Sequence, residues 1–595
     1  MLLSDVHILG VGTASKFSRT LLLIPLHIIF QNIFIVLPHF ILDGRHPVRP
    51  NNEFLNPWLI EESTGRSVGF EQVRTRTYGL ANALASRWKI GENDVVCIFS
   101  SNHIDWPIAL WATHRLGGVV TGANPAYTAD ELAYQLEVTK AKLLITHSGS
   151  LSTALTAARD SGISEDRIVI LDSQSGTSSP YPNIESLVRE GLARGPSFVE
   201  RRLELGEAKT KLALLNFSSG TTGKPKAVAI PHYAVIANTI QMALHGKVNE
   251  DYTSWEERRY RTGDVVYAVL PLYHIYGLVV NLHFYLFSGY TLVVSSRFNF
   301  IEMLKSIERY RINHLLLVPP MIVLLCKNPA VKKYDLSSLR FIMCGAAPLS
   351  GELTQQATQL LPHVSIHQAY GMTETSTTVS WPRLDQKIGT LGCGGQILAG
   401  VTMKIVKEDG SLAKLGEPGE LYVKAPSLAL RYLNNEEATK ETFIDGWVRT
   451  GDEVYINELA EIFIIDRMKE IMKVRGFQVA PAELEGHLLT HLHVADTCVV
   501  GVPDEYSGEV PLAFVVLSQS AADRIKNNPA DADTIKAEIA KYVADNKVHY
   551  KRLVGGVEFI DAIPKNPSGK LLRRLLRDKA KELKKSQTVQ IKAKL

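Results

Sequence analysis

One stretch of the chain combines glycines, hydroxyl side chains and lysines in a pattern suited to binding phosphate. It consists of Ser218, Ser219, Gly220, Thr221, Thr222, Gly223, Lys224, Pro225 and Lys226. Apolar runs at 212–217 and 227–230 flank it, so the pattern predicts a loop between two strands. Backbone N–H groups, hydroxyls and ammonium groups in such a loop can donate to phosphate oxygens. The spacing differs from a Walker A loop, and a hydroxyl-rich turn without a ligand is the alternative.

Two further segments place reactive groups after apolar runs. His274 and Tyr276 follow the run 265–270, and the carboxyl end of a strand is where α/β sheets bind ligands. The segment 368–375 combines the aromatic ring of Tyr370 with a hydroxyl and the carboxylate of Glu374. Mg²⁺ prefers oxygen ligands, so this segment is suited to hold a metal-bound phosphate.

Three more segments complete the set of candidate groups. The small residues 345–347 allow close backbone approach to a flat base. Asp452 follows a tight turn, and an ionised carboxylate can accept from both ribose hydroxyls. Lys570 ends a Pro- and Gly-shaped loop, so its ammonium group can meet negative charge developing between a carboxylate and a phosphate. We expect Arg573 and Arg574, just beyond it, to be solvated.

The elements that must position these groups follow from the pattern of apolar runs. From about residue 68, amphipathic stretches alternate with short β-branched runs, which predicts helix-flanked parallel sheets. After about residue 465 the pattern changes to a smaller α+β unit, with a solvated connection predicted at 518–533. The predicted fold class is therefore α/β, with a large multi-subdomain N-terminal domain and a small mobile α+β C-terminal domain. The predicted boundaries are 1–45 for an extension of unassigned role, 46–465 and 466–595, with a hinge at 466–469.

Composition excludes several classes of protein. The chain has 595 residues, of which 45% are hydrophobic and 21% charged, which is typical of a globular protein and not of a disordered one. A net charge of +4 spread over this length argues against nucleic-acid binding. The cysteines lack Cys-x-x-Cys spacing, so we expect no structural metal and a reducing compartment.

The two ends of the chain suggest where it resides. The apolar window 21–38 contains Pro25, Gln31 and Asn32, which favours a buried or membrane-surface helix, or an extension outside the mature fold, over a membrane span. The final residues Ala593, Lys594 and Leu595 are a close variant of the Ser-Lys-Leu peroxisomal address. They predict a peroxisomal import receptor as partner, with a cytoplasmic location as the alternative.

Taken in order over roughly residues 50–575, these motifs resemble those of the adenylate-forming enzymes. That superfamily includes acyl-CoA synthetases, adenylation domains of peptide synthetases and beetle luciferases, and the nearest branch is the 4-coumarate:CoA ligase and phenylacetyl-CoA ligase type. The resemblance implies ATP, Mg²⁺ and coenzyme A as cofactors. It also implies a two-step reaction, in which a carboxylate attacks the α-phosphate of ATP and the CoA thiol then displaces AMP.

The resemblance also implies roles for individual residues. The catalytic residues would be Lys570, His274 and Thr373. The ATP and AMP ligands would be all nine residues of 218–226 with Ala346, Gln368, Tyr370, Gly371, Thr373, Asp452, Arg467 and Lys570. The acyl pocket would consist of His274, Tyr276, Val280, Met343, Gly345, Ala346 and Ala369. The CoA ligands would be Lys473, Arg475, Gly476 and Gln478, and the Mg²⁺ ligands would be Glu374 and Thr221.

Three positions depart from the pattern of the superfamily. Ala369 stands where many relatives have Gly, and its methyl group should trim the wall of the acyl pocket. Arg475 replaces a common Lys and changes the donor geometry. Ala227 replaces a common Gly, a change that we expect to be tolerated.

The predicted function is ATP-dependent acid:CoA ligation of an aromatic acid, resembling cinnamate or phenylacetate, or of a medium-chain carboxylic acid. Apolar pocket residues disfavour a charged amino-acid substrate. A standalone adenylation enzyme that serves a carrier protein and a luciferase-like oxygenase are the alternatives. The segment 476–478 and the lack of a carrier module favour coenzyme A as acceptor.

Overall fold

The computed structural model describes residues 35–50, 57–172, 179–218, 225–504, 506–565 and 569–592, with side chains described up to residue 583. These residues form four sheets, three of them in the N-terminal part of the chain and one in the C-terminal part. The predicted division into a large and a small domain is confirmed.

The first sheet carries the predicted phosphate loop. Its strands, in spatial order, are Arg431–Tyr432, Lys226–Pro231, Leu212–Ser218, Val119–Ala123, Val95–Phe99, Ala141–Thr146 and Ile168–Ile170. Lys226–Pro231 runs antiparallel to both of its neighbours, Arg431–Tyr432 and Leu212–Ser218, and the other neighbouring strands pair in parallel. Its helices are Phe70–Trp88, Trp106–Arg115, Ala129–Thr139, Leu151–Asp160, Ile184–Ala193 and His232–His245. All five residues of Val95–Phe99 are buried, as expected for a strand covered on both faces.

The second sheet is parallel apart from one edge strand. Its strands, in spatial order, are Ser365–Gln368, Phe341–Cys344, His314–Leu317, Val265–Ala268, Thr291–Val294, Leu59–Glu61 and Ser67–Val68. Its helices are Tyr276–Phe284, which is π-helical, Tyr285–Phe287, Phe300–Tyr310, Pro319–Lys327 and Gly351–Leu360. The apolar runs 212–217, 227–230 and 265–270 are found as strands of these two sheets within two residues of their expected bounds.

The third sheet is antiparallel, which the helix-and-strand alternation did not predict. Its strands are Tyr370–Met372, Thr377–Trp381, Cys393–Ile397, Glu461–Arg467, Trp447–Ile456, Gly419–Lys424 and Thr402–Val406, with Phe443–Ile444 paired to Trp447–Ile456 and the helix Glu436–Thr442 beside it. Buried and part-exposed residues alternate along Gly419–Lys424, the pattern of a sheet with one solvated face.

The small domain has its own sheet and core. The strands are Met472–Val474, Phe477–Val479, Val494–Asp504, Gly508–Leu517 and Gly556–Phe559, and the helices are Pro481–Leu488, Gln519–Asn527, Asp531–Asn546 and Arg573–Lys592. The sequence predicts a solvated loop at 518–533; the described residues of this connection other than Ala521 are exposed or part-exposed, but most of them are helical and do not form a loop. Ala521 is fully buried and anchors the first of its helices in the core of this domain.

The short turns of helix are His39–Asp43, Ser148–Ser150, Glu165–Arg167, Glu207–Lys209, Pro329–Lys333, Thr373–Thr375 and His549–Lys551. The turn His39–Asp43 lies within residues 1–45, which the sequence analysis assigns to an N-terminal extension. Leu37 donates its N–H to Nδ1 of His232 at 3.1 Å, and Phe40 stacks on Phe287 with ring centroids 4.8 Å apart. The described part of the extension is therefore built into the core of the large domain.

Residues 21–34 of the apolar window lie outside the described residues, as do Ala593, Lys594 and Leu595. Among the described residues, no helix combines the length and the apolar character needed to cross a membrane.

Candidate active site

A cavity of about 890 Å³ lies between the first two sheets, the antiparallel sheet and the small domain. Most of the predicted site residues line it, namely Ser218, Pro225, Lys226, His274, Tyr276, Val280, Gly345, Ala346, Ala369, Tyr370, Gly371, Thr373, Glu374, Arg467 and Lys570. An adjoining cavity of about 390 Å³ is lined by Gln368 and Asp452 and shares Tyr370, Arg467 and Lys570 with the first. The fold thus brings together residues separated by more than 350 positions.

The structure leaves the remaining predicted residues away from these cavities or undescribed. Met343 is fully buried in the apolar core that also contains Tyr276 and Val280, and it lines neither cavity. Ser219, Gly220, Thr221, Thr222, Gly223 and Lys224 lie outside the described residues. Leu212–Ser218 and Lys226–Pro231 are paired strands, so the two strands predicted to flank this segment are confirmed.

Gln368 braces the loop that lines the adjoining cavity. Its side-chain oxygen accepts from the N–H of Leu349 at 2.7 Å, and its nitrogen donates to the carbonyl of the same residue at 3.0 Å. Ala346 in this loop has a φ of 68°, in the left-handed region. The pair of hydrogen bonds therefore secures a backbone path that an L residue seldom adopts.

Tyr370, Asp452 and Arg467 form a polar group where the two cavities meet. The Tyr370 hydroxyl donates to Oδ2 of Asp452 at 2.6 Å, and Nε of Arg467 lies 3.6 Å from Oδ1. Burial and the adjacent carboxylate hold the pKa of Tyr370 well above its usual value. Burial lowers the pKa of Arg467, but the negative charges of Asp452 and Glu470 raise it by more, so the pKa lies above its usual value. The carboxylate is fixed in place and keeps acceptor positions for two ribose hydroxyls.

Glu374 is held by a residue that the sequence did not reveal. Its Oε1 accepts from the Tyr432 hydroxyl at 2.7 Å, and the Glu374 residue is only 5% exposed. Nζ of Lys226 lies 5.0 Å from the centre of the same tyrosine ring. Tyr432 therefore joins the end of the phosphate loop to the candidate metal ligand. It could be found only from the pairing of its strand with Lys226–Pro231.

The turn that carries Thr373 and Glu374 is tied to the His274 segment through strained backbone. A Cβ at Gly371 would lie 1.4 Å from the carbonyl oxygen of Thr377, so only glycine fits there. Thr377 has a φ of 101°, and its hydroxyl donates to the carbonyl of Ile275 at 3.0 Å. Strain of this kind persists where the surrounding structure fixes it, and it is concentrated at functional sites.

His274 is neutral at physiological pH. The N–H of Tyr276 donates to Nδ1 of the imidazole at 3.3 Å, which places the ring proton on Nε2. Burial, reinforced by the positive charge of Lys570, lowers the pKa of His274 to about 4. The ring can therefore donate a hydrogen bond from Nε2 without carrying charge.

Lys570 enters the cavity on a hairpin of the small domain. A bridge between Lys565 and Leu571 closes the hairpin, and Leu572 donates its N–H to the carbonyl of Pro564 at 2.9 Å. Burial, reinforced by the nearby charge of Arg467, lowers the pKa of Lys570 to about 8. Gly569 has a φ of 82°, and a Cβ there would lie 2.9 Å from Cγ2 of Val318, so the hairpin rests directly on the large domain.

The predicted CoA ligands face solvent. Lys473, Arg475, Gly476 and Gln478 are exposed on the hairpin formed by Met472–Val474 and Phe477–Val479, and they line neither cavity. The domain that inserts Lys570 thus keeps this hairpin outside the site.

The expectation that Arg573 is solvated is wrong. Its side chain is 11% exposed and bonds Glu470 and Glu485, whereas Arg574 is exposed as predicted. Lys565, also missed, lines both cavities and pairs with Asp496 at 2.5 Å. Adjacent basic residues at the start of a helix look alike in the sequence, because their partners come from distant positions.

Comparison with known proteins identifies similar chains. The model of the AMP-binding enzyme family matches residues 46–433, and that of the AMP-binding enzyme C-terminal domain matches residues 483–570. The chain is 36% identical over 531 residues to a 4-coumarate–CoA ligase of Arabidopsis thaliana, covering 88% of each protein. It is 32% identical over 558 residues to an acyl-CoA ligase of Cordyceps militaris, covering 88% of this chain and 84% of the relative.

Solved structures share the fold. An anthranilate CoA ligase in complex with anthranoyl-AMP superposes with a TM-score of 0.77 at 23% identity, over 92% of this chain and 98% of the other. ATP-bound MatB from Rhodopseudomonas palustris gives a TM-score of 0.73 at 25% identity, over 89% and 97% of the two chains.

Proposed function

The chain belongs to the AMP-binding enzyme family, and we propose that it is an acid:CoA ligase whose preferred substrate is an aromatic carboxylic acid. The resemblance found in the sequence is confirmed. The observation that carries the proposal is the cavity in which Lys570 of the small domain lies with His274 and Tyr370 of the large one. The relatives named as 4-coumarate–CoA and acyl-CoA ligases support coenzyme A as the acceptor.

The first half-reaction follows from the groups in the cavity. A carboxylate oxygen of the acid attacks the α-phosphorus of ATP, the bond to the bridging oxygen breaks, and pyrophosphate leaves. The ammonium group of Lys570 stabilises the negative charge that gathers between the two reactants. The neutral His274 offers an Nε2 donor to the acid carboxylate, which orients it without forming an ion pair that attack would have to break.

The nucleotide would be held by residues of both cavities. Asp452 accepts from the ribose hydroxyls, Tyr370 presents its ring to the base, and Lys226 at the end of the loop faces the phosphates. The donor set around Glu374 fits Mg²⁺, because a buried carboxylate with one oxygen held by Tyr432 can present the other. The bound ion would neutralise phosphate charge.

The acid pocket favours a ring with a polar substituent. The Tyr276 hydroxyl is buried and has no hydrogen-bond partner among the described residues. A Cβ at Gly345 would lie 3.2 Å from that hydroxyl, so glycine there leaves it room. An unpaired buried hydroxyl costs about 1–3 kcal/mol, which a hydroxyl on the acid would recover. Val280 and Ala369 supply apolar surface for the remainder of the ring.

The second half-reaction needs a different arrangement of the domains. The sulfur of CoA attacks the carbonyl carbon of the acyl-adenylate and the thiol proton is released. The bond from that carbon to the phosphate oxygen breaks, and AMP leaves with its electron pair. Lys473, Arg475, Gly476 and Gln478 are exposed on the small domain while Lys570 occupies the site. Rotation about the hinge at 466–469 would withdraw the lysine and bring this hairpin in.

We also propose that the protein works in peroxisomes. The support is the terminal tripeptide Ala593, Lys594 and Leu595, which an import receptor would read. Val36 and Leu37 at the end of the apolar window are buried in the core, so the proposed contact with a membrane surface is confined to residues 21–34.

The test is acid-dependent release of pyrophosphate by the purified protein, with and without CoA. The panel contains cinnamic, 4-hydroxycinnamic and phenylacetic acids, fatty acids of six to sixteen carbons, and amino acids. We expect sustained turnover only with CoA and fastest with a hydroxylated aromatic acid. Release that stops at one equivalent and ignores CoA would contradict the proposed acceptor, and preference for fatty acids would contradict the proposed acid.

A matched variant tests the role of the pocket hydroxyl. Tyr276→Phe should lower kcat/KM for 4-hydroxycinnamate by about 2- to 10-fold, the value of one neutral hydrogen bond, and leave cinnamate unchanged. Equal effects on the two acids would remove the argument for a polar substituent.

A further inference from the structure

A buried ion cluster lies beside the hinge, outside the reacting groups. Nη1 of Arg573 is 2.5 Å from Oε2 of Glu470, and Nη2 is 2.5 Å from Oε2 of Glu485. The three side chains are only 11%, 11% and 9% exposed. Charged side chains are seldom buried to this extent unless they are paired and hydrogen-bonded. The proposed mechanism makes no use of this cluster.

Each carboxylate is attached to a different element. Glu470 follows the hinge directly, and its N–H donates to the carbonyl of Arg467 at 2.8 Å. Glu485 lies on the helix Pro481–Leu488, and its Oε1 accepts at 2.8 Å from the N–H of Val499, in the strand Val494–Asp504 of the small domain. The guanidinium of Arg573 therefore joins the hinge, a helix and the sheet at one point.

Arg573 itself begins the last helix, three residues after Lys570. The next turn of the same helix also contacts the hinge, because Arg577 donates to the carbonyl of Lys469 at 3.3 Å. The hairpin that carries Lys570 is thus anchored at its C-terminal side to the hinge segment. That segment also contains Arg467, which lies 3.6 Å from Asp452 in the site.

The charges indicate that this anchor is specific for arginine. Asp466 is buried nearby and accepts from the N–H of Ala482 at 2.9 Å, so three carboxylates surround one guanidinium. Burial raises the pKa of Asp466 and of Glu485, and the charge of Arg573 opposes that rise. A planar guanidinium can meet two carboxylates in a fixed geometry, which an ammonium group cannot.

We propose that Arg573 is a positioning residue for adenylation. It ties the Lys570 hairpin to the hinge segment at the end of the strand Glu461–Arg467, so that the ammonium group is held in a fixed position relative to Arg467 in the site. The inference rests on the proposed function. Glu470, Glu485 and Arg573 all follow the hinge, so the ion cluster moves with the small domain. The second half-reaction takes place after Lys570 has left the site, so its rate should not depend on how the cluster positions Lys570.

The experiment compares the two half-reactions in Arg573→Gln. Single-turnover release of pyrophosphate reports adenylation, and transfer from a supplied acyl-adenylate to CoA reports the second step. We expect adenylation to fall by about 10- to 100-fold, because small displacements of a reacting group have effects of this size, with transfer within about threefold of wild type. Arg574→Gln, at the exposed neighbour, is the matched control and should change neither rate.

Coupling to Lys570 separates positioning from general stability. In the Lys570→Ala background, Arg573→Gln should lower adenylation by less than about twofold, because both changes act through the same ammonium group. The inference would be overturned if the fold-losses in adenylation of the two single variants multiply in the double variant. Equal losses in both half-reactions of Arg573→Gln would also overturn it. If Arg573→Gln fails to fold, Arg573→Lys keeps the charge, loses one of the two contacts and should show the same selective loss at smaller size. A wild-type protein without acid-dependent pyrophosphate release would instead refute the proposed function.

Discussion

Gly486 offers a direct test of whether the arrangement of domains in this structure is the one that makes the adenylate. The residue lies on the helix Pro481–Leu488 of the small domain, against the large domain. A Cβ at this position would lie 2.5 Å from Cβ of Ser350, which begins the helix Gly351–Leu360. Ordinary carbon contacts are about 3.5–4.0 Å, so Gly486→Ala forces an overlap of about 1 Å between two atoms that no rotamer can move.

The magnitude follows from the cost of overpacking. Inserting a methyl group into a close contact costs about 1–3 kcal/mol. This cost applies only to the arrangement of domains in this structure, so the population of that arrangement relative to others should fall by about 5- to 150-fold. The small domain should lose no stability, because alanine is favoured over glycine within a helix by up to about 1 kcal/mol.

The assay is the pair of half-reactions together with thermal unfolding. Gly486→Ala should slow single-turnover adenylation within that range, leave transfer from a supplied acyl-adenylate unchanged and leave Tm equal or higher. Ser350→Gly removes the opposing Cβ and is tolerated at a helix start, so the double variant should recover adenylation. Adenylation at the wild-type rate in Gly486→Ala, or slowing that the second substitution does not relieve, would refute the reasoning.

Three other outcomes follow from the site. Lys570 acts as a cation, and its pKa is lowered to about 8, so its positive charge is present below that pH and lost above it. The value of kcat/KM for ATP should therefore fall as the pH rises through about 8. Residual activity in Lys570→Arg should show no such decline. Asp452→Asn removes a charged acceptor and the partner of Arg467, so kcat/KM for ATP should fall by about 10- to 100-fold in steady-state assays, and an unchanged value would exclude a ribose contact. Deleting Ala593, Lys594 and Leu595 from a fluorescent fusion should move it from peroxisomes to the cytosol with kinetic constants unchanged, and retention in peroxisomes would show that another signal directs it.

Much of the fold and of the site could be predicted because the informative signals are local. The buried parallel strands are short apolar runs, and the order of the phosphate loop, the His274 segment and the Lys570 loop is fixed along the chain. Such motifs identify chemistry without requiring knowledge of which elements touch.

What the sequence could not provide depends on contacts between distant residues. The antiparallel sheet formed within 370–467 requires pairing that no single segment specifies. Tyr432 reaches Glu374 only because its strand pairs with Val228 and its neighbours. The resemblance implies that Met343 lines the acyl pocket, yet this residue belongs to the core and lines neither cavity. Arg573 differs from Arg574 only in having buried partners at Glu470 and Glu485.

The central claim is that Lys570, delivered by the small domain, carries adenylation and leaves for thioester formation. The most direct measurement is the rate of each half-reaction in Lys570→Ala. Removing a positioned charge of this kind costs about 3–4 kcal/mol, so adenylation should fall by about two to three orders of magnitude. Transfer from a supplied acyl-adenylate to CoA should stay within about threefold of wild type. Equal loss in both half-reactions, or adenylation at the wild-type rate, would contradict the account.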